Sequence, residues 1–275
     1  MTLKEFIEKS TASLRELYPA PEARNIINIL LSERLGLKTW ELALRMDMEI
    51  GDAFSLDLSR LLSAEPLQYV LGYAEFYGRR FKVGPEVLIP RPETESLVEW
   101  ALAQNIKKGG RVLDLCTGSG AIAWSIALER PDLQLYAVDL SPSALACAKG
   151  QFSSSSSPEF IQGDALDQDF LRSLGRFDMI LSNPPYIMES EKSLMRANVL
   201  DYEPAMALFV KDEDPLVFYR AIARACGFLL AEGGFGIVEC NELLANETAL
   251  LFEKEAGKRP LLVRDLGGKC RFVAF

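Results

Sequence analysis

Arg111-Val112-Leu113-Asp114-Leu115-Cys116-Thr117-Gly118-Ser119-Gly120 runs from a short apolar stretch into a turn carrying two glycines, and residues 121–129 continue at helical spacing. A brief, almost continuously apolar run of this kind reads as a strand buried on both faces. Residues 133–138 repeat the strand pattern and 141–149 the helical one, so the order is strand, helix, strand, helix. That alternation demands a parallel sheet covered by helices. Working outward, Phe160-Ile161 and residues 177–181 and 235–238 supply further strands, with 216–230 as a crossover helix between the last two. Leu261-Leu262-Val263 and Arg271-Phe272-Val273-Ala274-Phe275, separated by Gly267-Gly268, are expected to form an antiparallel hairpin at the sheet edge. The serine run at 153–157 is expected as a solvated loop.

Upstream the period changes. Thr2-Leu3-Lys4-Glu5 has the spacing of a capping box, and Leu3, Phe6, Ile7, Leu14 and Leu17 then recur as on a helix reaching about Tyr18. Pro21 suits the first residue of a second helix, with Gly36 closing it; Thr39 and Asp52 are expected N-caps of two more. Residues 1–70 therefore read as a small helical bundle. Residues 71–95 form a link, in which Phe76-Tyr77-Gly78-Arg79-Arg80-Phe81-Lys82-Val83 is a hairpin candidate. Residues 96–275 carry the sheet.

Composition removes whole classes of chemistry. The 275 residues are 49% hydrophobic and 25% charged, the make-up of a globular chain. No apolar run is long enough to span a bilayer, and the acidic N-terminal turns lack a signal core, so a cytoplasmic protein is expected. There is no histidine, which excludes Ser-His-Asp triads, Cys-His dyads and the usual zinc hydrolase sites. Cys116, Cys147, Cys226, Cys240 and Cys270 have no Cys-x-x-Cys spacing, so neither a disulfide framework nor a metal site is expected. A net charge of −9 opposes non-specific binding to phosphate backbones.

Three strand ends carry candidate chemistry. Gly118 and Gly120 let the backbone turn sharply and approach a ligand at the C-terminal edge of the sheet. Asp139, closing Tyr136-Ala137-Val138-Asp139, stands where a carboxylate accepts both hydrogen bonds of a ribose diol, and the pair indicates an adenosine ligand. The glycine loop alone does not choose between cofactors. Leu181-Ser182-Asn183-Pro184-Pro185-Tyr186 ends a later strand; its prolines hold the backbone extended, so the Asn183 side-chain oxygen and the Pro184 carbonyl can serve as fixed acceptors beside an aromatic ring. Such a device grips an NH₂ group, of an amide or of a base.

In these motifs the sequence resembles the class I S-adenosylmethionine-dependent methyltransferases, and more narrowly the HemK/PrmC-type protein-glutamine methyltransferases that modify peptide-chain release factors. The likeness spans nearly the whole chain and rests on Glu65-Pro66-Leu67-Gln68-Tyr69-Val70-Leu71-Gly72, Glu75-Phe76-Tyr77-Gly78, Val87-Leu88-Ile89-Pro90-Arg91-Pro92-Glu93-Thr94-Glu95, residues 113–120 and 182–187, and Tyr202-Glu203-Pro204. It implies an α/β fold with a seven-stranded, Rossmann-like methyltransferase sheet behind a helical domain that helps hold the substrate. It also implies S-adenosyl-L-methionine as cofactor, with Cys116, Thr117, Gly118, Ser119 and Gly120 along its methionine part, Asp139 on the ribose and Asp164-Ala165 at the adenine. Asn183, Pro184, Pro185 and Tyr186 would hold the glutamine of a Gly-Gly-Gln motif in a class I release factor, Asn183, Pro184 and Tyr186 acting on the reacting amide and Asn183 also bordering the cofactor. The expected partner is the release factor, met by a monomer without membrane or nucleic acid.

The chain departs from the family pattern at four places. Cys116 stands where glycine is usual, and Ala165 where a bulkier residue is common. Val210-Lys211-Asp212-Glu213-Asp214-Pro215 replaces a glycine-rich stretch, and Glu239-Cys240-Asn241-Glu242 lacks the glycine expected beside the glutamate. Arg91 and Glu93 are expected to shape the substrate mouth or to pair with each other, and Glu203 to brace the Asn183 loop. The rival enzyme is a DNA or RNA adenine methyltransferase using the same tetrad on a flipped base, which would want a basic groove. The rival from another class is a non-catalytic scaffold with a vestigial cofactor pocket, whose loop or tetrad would be broken.

Overall fold

The computed structural model describes residues 1–265 and 267–275. Its first elements are α1 (Leu3–Leu14), α2 (Ala20–Leu35), α3 (Thr39–Ala43), α4 (Ser55–Leu62), α5 (Leu67–Leu71), β1 (Tyr73–Phe76) and β2 (Arg79–Lys82). After α6 (Glu95–Leu102) come β3 (Arg111–Leu115), α7 (Ala121–Glu129), β4 (Gln134–Asp139), α8 (Pro142–Lys149), β5 (Glu159–Gln162), α9 (Gln168–Ser173) and β6 (Phe177–Ser182). The remainder is β7 (Ile187–Met188), α10 (Ala197–Leu200), α11 (Ala205–Leu208), β8 (Phe209–Val210), α12 (Val217–Leu229), β9 (Leu230–Glu239), α13 (Ala245–Ala256), β10 (Leu261–Arg264) and β11 (Cys270–Ala274). No helix among the described residues is long and apolar enough to cross a membrane. The chain divides into two units, Met1–Tyr73 with Arg196–Tyr202, and Ala74–Met195 with Glu203–Phe275.

The first unit is a helical bundle. Its capping box forms as the spacing dictates: Thr2 Oγ1 accepts from the Glu5 N–H at 3.2 Å, and Glu5 returns a carboxylate oxygen to the Thr2 N–H at 3.0 Å. The first helix stops at Leu14, short of Tyr18, because Tyr18 precedes Pro19 and is disfavoured in helical backbone. Gly36 ends α2 at φ 64°, a left-handed cap that only glycine adopts without cost. Two expected caps are corrected. Lys38 and Glu41 close the start of α3, with Thr39 already inside it, and α4 begins at Ser55, leaving Asp52 in the preceding turn. Leu3, Phe6, Ile27, Leu30, Leu31 and Leu61 bury the apolar stripes of α1, α2 and α4 together. Residues 196–202 belong to this unit: Arg196 pairs with Glu22 at 2.7 Å and the Tyr202 hydroxyl donates to the Ser63 carbonyl at 2.6 Å.

The second unit is built on one seven-stranded sheet of order β10-β11-β9-β6-β3-β4-β5. β3, β4, β5, β6 and β9 are parallel, and β11 runs antiparallel between β9 and β10, so the late hairpin extends the sheet as expected. Alternate residues feed two cores. Val112, Leu135, Met179 and Ile237 join α6 and α7 on one face, while Leu113, Val138, Ile180 and Val238 join α12 and α13 on the other. At β1–β2 the turn is Tyr77-Gly78 with φ 49° and 69°, the left-handed pair that matches the twist of a two-residue hairpin.

Register places the site. Leu115 lies opposite Val138 on one side and Ser182 on the other, and Asp139 opposite Gln162. The residues that follow these strands therefore emerge together at one carboxyl edge, flanking the strand where chain order reverses, which is where open α/β sheets bind ligands.

Candidate active site

A cleft opens at that edge. Cys116, Thr117, Gly118 and Ser119 form one wall, Asp139, Asp164 and Ala165 another, and Asn183 with Pro185 a third. Gly120, Pro184 and Tyr186 are not among the residues lining it.

The loop after β3 owes its shape to three left-handed residues, Cys116 at φ 61°, Gly118 at 55° and Gly120 at 78°. They turn the Gly118 N–H onto the Asp139 carboxylate at 2.8 Å, and the Thr117 N–H onto the Val138 carbonyl at 2.9 Å. Gly120 does packing duty: a Cβ there would meet Ala148 at 3.0 Å and Trp124 at 3.1 Å, so it opens α7 from behind the cleft wall. Cys116 explains the usual glycine at its position, since a side chain in this conformation costs about 1 kcal/mol. Burial, with the carboxylates of Asp139 and Asp114 nearby, pushes its thiol well above the ordinary cysteine range. Because a raised pKa leaves less thiolate at any given pH, iodoacetamide near about pH 8 is expected to alkylate Cys116 at under about a tenth of the rate of glutathione. Mass spectrometry of the modified peptide checks this; rapid labelling would contradict the raised thiol pKa.

Asp139 ends β4 with one oxygen accepting from Gly118 and the other from the Ser141 N–H at 2.9 Å. It does not cap α8; that task belongs to Ser141, whose hydroxyl accepts from the Ala144 N–H at 3.2 Å. Each carboxylate oxygen keeps a second lone pair for a ligand hydroxyl. Burial raises the Asp139 pKa, and the two N–H donors oppose that rise. Beneath the loop lies Asp114, fully buried and pushed up to about 7 by desolvation, with Thr117 donating to it at 2.6 Å. On the far wall Asp164 accepts the Leu166 N–H at 2.8 Å, and Ala165 offers a small apolar surface. A carboxylate with spare lone pairs and apolar walls at Ile122, Val138 and Leu140 fit an adenosyl group.

At the third wall, Ser182 anchors the end of β6 through its hydroxyl on the Leu115 carbonyl at 2.7 Å. Asn183 Nδ2 donates to Thr94 Oγ1 at 3.3 Å, Thr94 Oγ1 donates to Glu239 Oε2 at 2.7 Å, and the Tyr186 hydroxyl donates to Glu239 Oε1 at 3.2 Å. Tyr186 thus turns inward against the α12 core. Its phenol is held well above its usual pKa by burial and by the adjacent glutamate, so it stays protonated. Burial pushes Glu239 up to about 7 against the pull of Thr94, Tyr186 and Arg271.

Two expectations about the mouth are corrected. Arg91 pairs with Glu203 at 2.6 Å, across 112 residues, and not with Glu93. Glu203, its side chain 1% exposed, also accepts the Ile89 N–H at 3.1 Å, so it braces residues 89–91 and not the Asn183 loop. The unusual stretch after Tyr202-Glu203-Pro204 has a structural role: β8 pairs with β7 just beyond the tetrad, and Asp212 accepts the Ser190 N–H at 3.1 Å. Sequence reasoning missed Thr94 and Asp114 and left Glu239 without a role. Thr94 stands in the Pro90–Glu95 motif and Glu239 ends a strand, but nothing in their spacing brings the two into contact.

Two family models match the chain, the PrmC N-terminal domain over residues 5–72 and the methyltransferase small domain over residues 94–205. A release factor glutamine methyltransferase of Bacteroides thetaiotaomicron is 38% identical over 266 residues, covering 95% of both chains. The protein of that name from Flavobacterium psychrophilum is 36% identical over 99% of this chain and 98% of its own, and that from Neisseria gonorrhoeae 48% identical over 66% and 65%. Likeness at this identity runs from the helical unit through the cleft to the last strand, and the chain belongs to the release factor glutamine methyltransferase family.

Proposed function

We propose that this methyltransferase transfers a methyl group from S-adenosylmethionine to the side-chain amide nitrogen of the glutamine in the Gly-Gly-Gln motif of a class I peptide-chain release factor. The observation that carries the reading is the fixed amide of Asn183 facing a cleft whose opposite walls fit an adenosyl group. Cys116, Thr117, Gly118 and Ser119 would border the methionine part, Asp139 the ribose, and Asp164 with Ala165 the adenine. When bound, the cofactor supplies a methyl group activated by a sulfonium.

An amide nitrogen is a poor nucleophile because its lone pair is delocalised into the carbonyl. The chain's contribution is therefore positioning. Asn183 Oδ1 accepts an N–H of the substrate amide, which turns the nitrogen toward the methyl donor and stabilises the positive charge that grows there, while Pro184, behind the cleft wall, stiffens the backbone that carries Asn183. Pro185 closes the wall beside it. Tyr186 braces Glu239 through its hydroxyl. The nitrogen loses its proton once methylated, because an N-methylated amide cation is strongly acidic, so no general base is needed and histidine is not missed.

Residues 1–73 and 196–202 hold the body of the release factor, which acts in the cytoplasm; the enzyme works as a monomer and does not use nucleic acid, in keeping with its net charge of −9. A short peptide bearing Gly-Gly-Gln is accordingly expected to be methylated with a KM at least about tenfold above that of the whole factor, at similar kcat, since the lost contacts are uniform binding. Steady-state assays on both substrates check this. Equal KM values would remove the recognition role of the helical unit.

A further inference from the structure

Glu239 and Thr94 are buried, joined to each other and to the tetrad, and unused by the transfer just described. Their chemistry fixes a direction. A carboxylate is acceptor-only, so Thr94, 2.7 Å from Glu239 Oε2, must spend its single O–H on it. The Thr94 oxygen can then only accept from Asn183, which assigns the NH₂ of that amide to Thr94 and its Oδ1 to the cleft. Tyr186 donates to the second carboxylate oxygen and so keeps Glu239 from rotating.

We propose that Glu239, acting through Thr94, is a positioning residue that sets the rotamer sense of the Asn183 amide, presenting an acceptor and not a donor to the substrate NH₂. A terminal amide can be turned over with little steric penalty, because its oxygen and nitrogen are nearly the same size. Turned over, it would aim its own NH₂ at the substrate's NH₂, and the grip would become a repulsion. The relay removes that alternative before the substrate arrives. The ionised state matters: a protonated Glu239 can donate to Thr94, reverse the hydroxyl and let the amide turn. Groups facing Glu239 are Arg271 from β11, Tyr186 from the tetrad, Tyr219 from α12 and Glu93 from the turn ahead of α6, besides the neighbouring Cys240 thiol. Burial pushes Glu239 up to about 7, so its charge changes within the working range of an enzyme.

The inference rests on the proposed glutamine transfer, and its test separates the two. Wild type, Thr94→Val, Thr94→Ser and Glu239→Gln are compared on a Gly-Gly-Gln peptide, with kcat, KM, cofactor affinity by calorimetry, and peptide affinity in the presence of S-adenosylhomocysteine. Thr94→Val keeps shape but not the relay, and is expected to lose about tenfold in both kcat and peptide affinity, the worth of one positioned hydrogen bond, with cofactor affinity unchanged. Thr94→Ser restores the hydroxyl and is expected to work within about twofold of wild type. The wild-type kcat is expected to rise with pH through about 7, and Glu239→Gln to lack that limb. A folded Thr94→Val with wild-type kcat and peptide affinity would overturn the relay, as would Thr94→Ser as impaired as Thr94→Val. Glu239→Gln retaining the wild-type limb would overturn the role of Glu239. Failure of the wild type itself to methylate the peptide glutamine and the whole factor would strike the transfer reading and, with it, this inference.

Discussion

Asn183→Ala is expected to cut the methyl-transfer rate by about 10² to 10³ while leaving cofactor affinity within about twofold of wild type, because removing one preorganised polar contact at a reacting centre costs that much. The asymmetry follows from the geometry. Asn183 belongs to the Thr94–Glu239 chain of hydrogen bonds, while the cofactor wall is held by Gly118, Asp139 and Ser141, which share none of its partners. Single-turnover methyl incorporation gives the rate, and calorimetric titration gives the affinity. A folded Asn183→Ala variant with wild-type turnover would remove the positioning mechanism. A parallel loss of cofactor affinity would mean that Asn183 serves the cofactor more than the substrate.

Asp139→Ala is the complementary case, with affinity expected to fall at least about 10²-fold. Two charge-assisted hydrogen bonds to a diol are worth about 1.5 kcal/mol or more each, and about 3 kcal/mol is two decades in Kd. The variant also frees the Gly118 and Ser141 N–H groups that Asp139 now orders. Acidification should mimic part of this loss. Since burial raises the Asp139 pKa, the carboxylate takes up its proton at higher pH than an ordinary aspartate, and affinity should begin to fall while an exposed aspartate would still be charged. Unchanged affinity in a folded variant would confine Asp139 to holding the loop.

The parts of this molecule that were legible beforehand are those governed by local rules. The residue pattern predicts a helix over 121–129 and a strand over 111–115, and both bounds coincide with α7 and β3. The capping box at Thr2 and the glycine stop at Gly36 were likewise written in a few adjacent residues. Helix α13, with Ala245, Thr248 and Phe252 on one buried face, and the shorter α9 have no counterpart among the elements expected from the sequence. What could not be read is long-range pairing. The partner of Arg91 lies 112 residues away at Glu203, when Glu93 was the nearer candidate, and the partner of Thr94 lies 145 residues away at Glu239. Cys116 is an intermediate case: the departure from glycine was visible, and the left-handed backbone that makes it costly was not.

The central claim is the chemical identity of the acceptor atom, and tandem mass spectrometry of a purified class I release factor, incubated with the full-length enzyme and S-adenosylmethionine, addresses it most directly. One added methyl on the glutamine side chain of the Gly-Gly-Gln loop, absent when Asn183→Ala replaces the wild type in a single-turnover time window, is the predicted result. An unmodified glutamine, with methyl transferred instead to adenine in DNA or RNA supplied in the same reaction, would contradict the account.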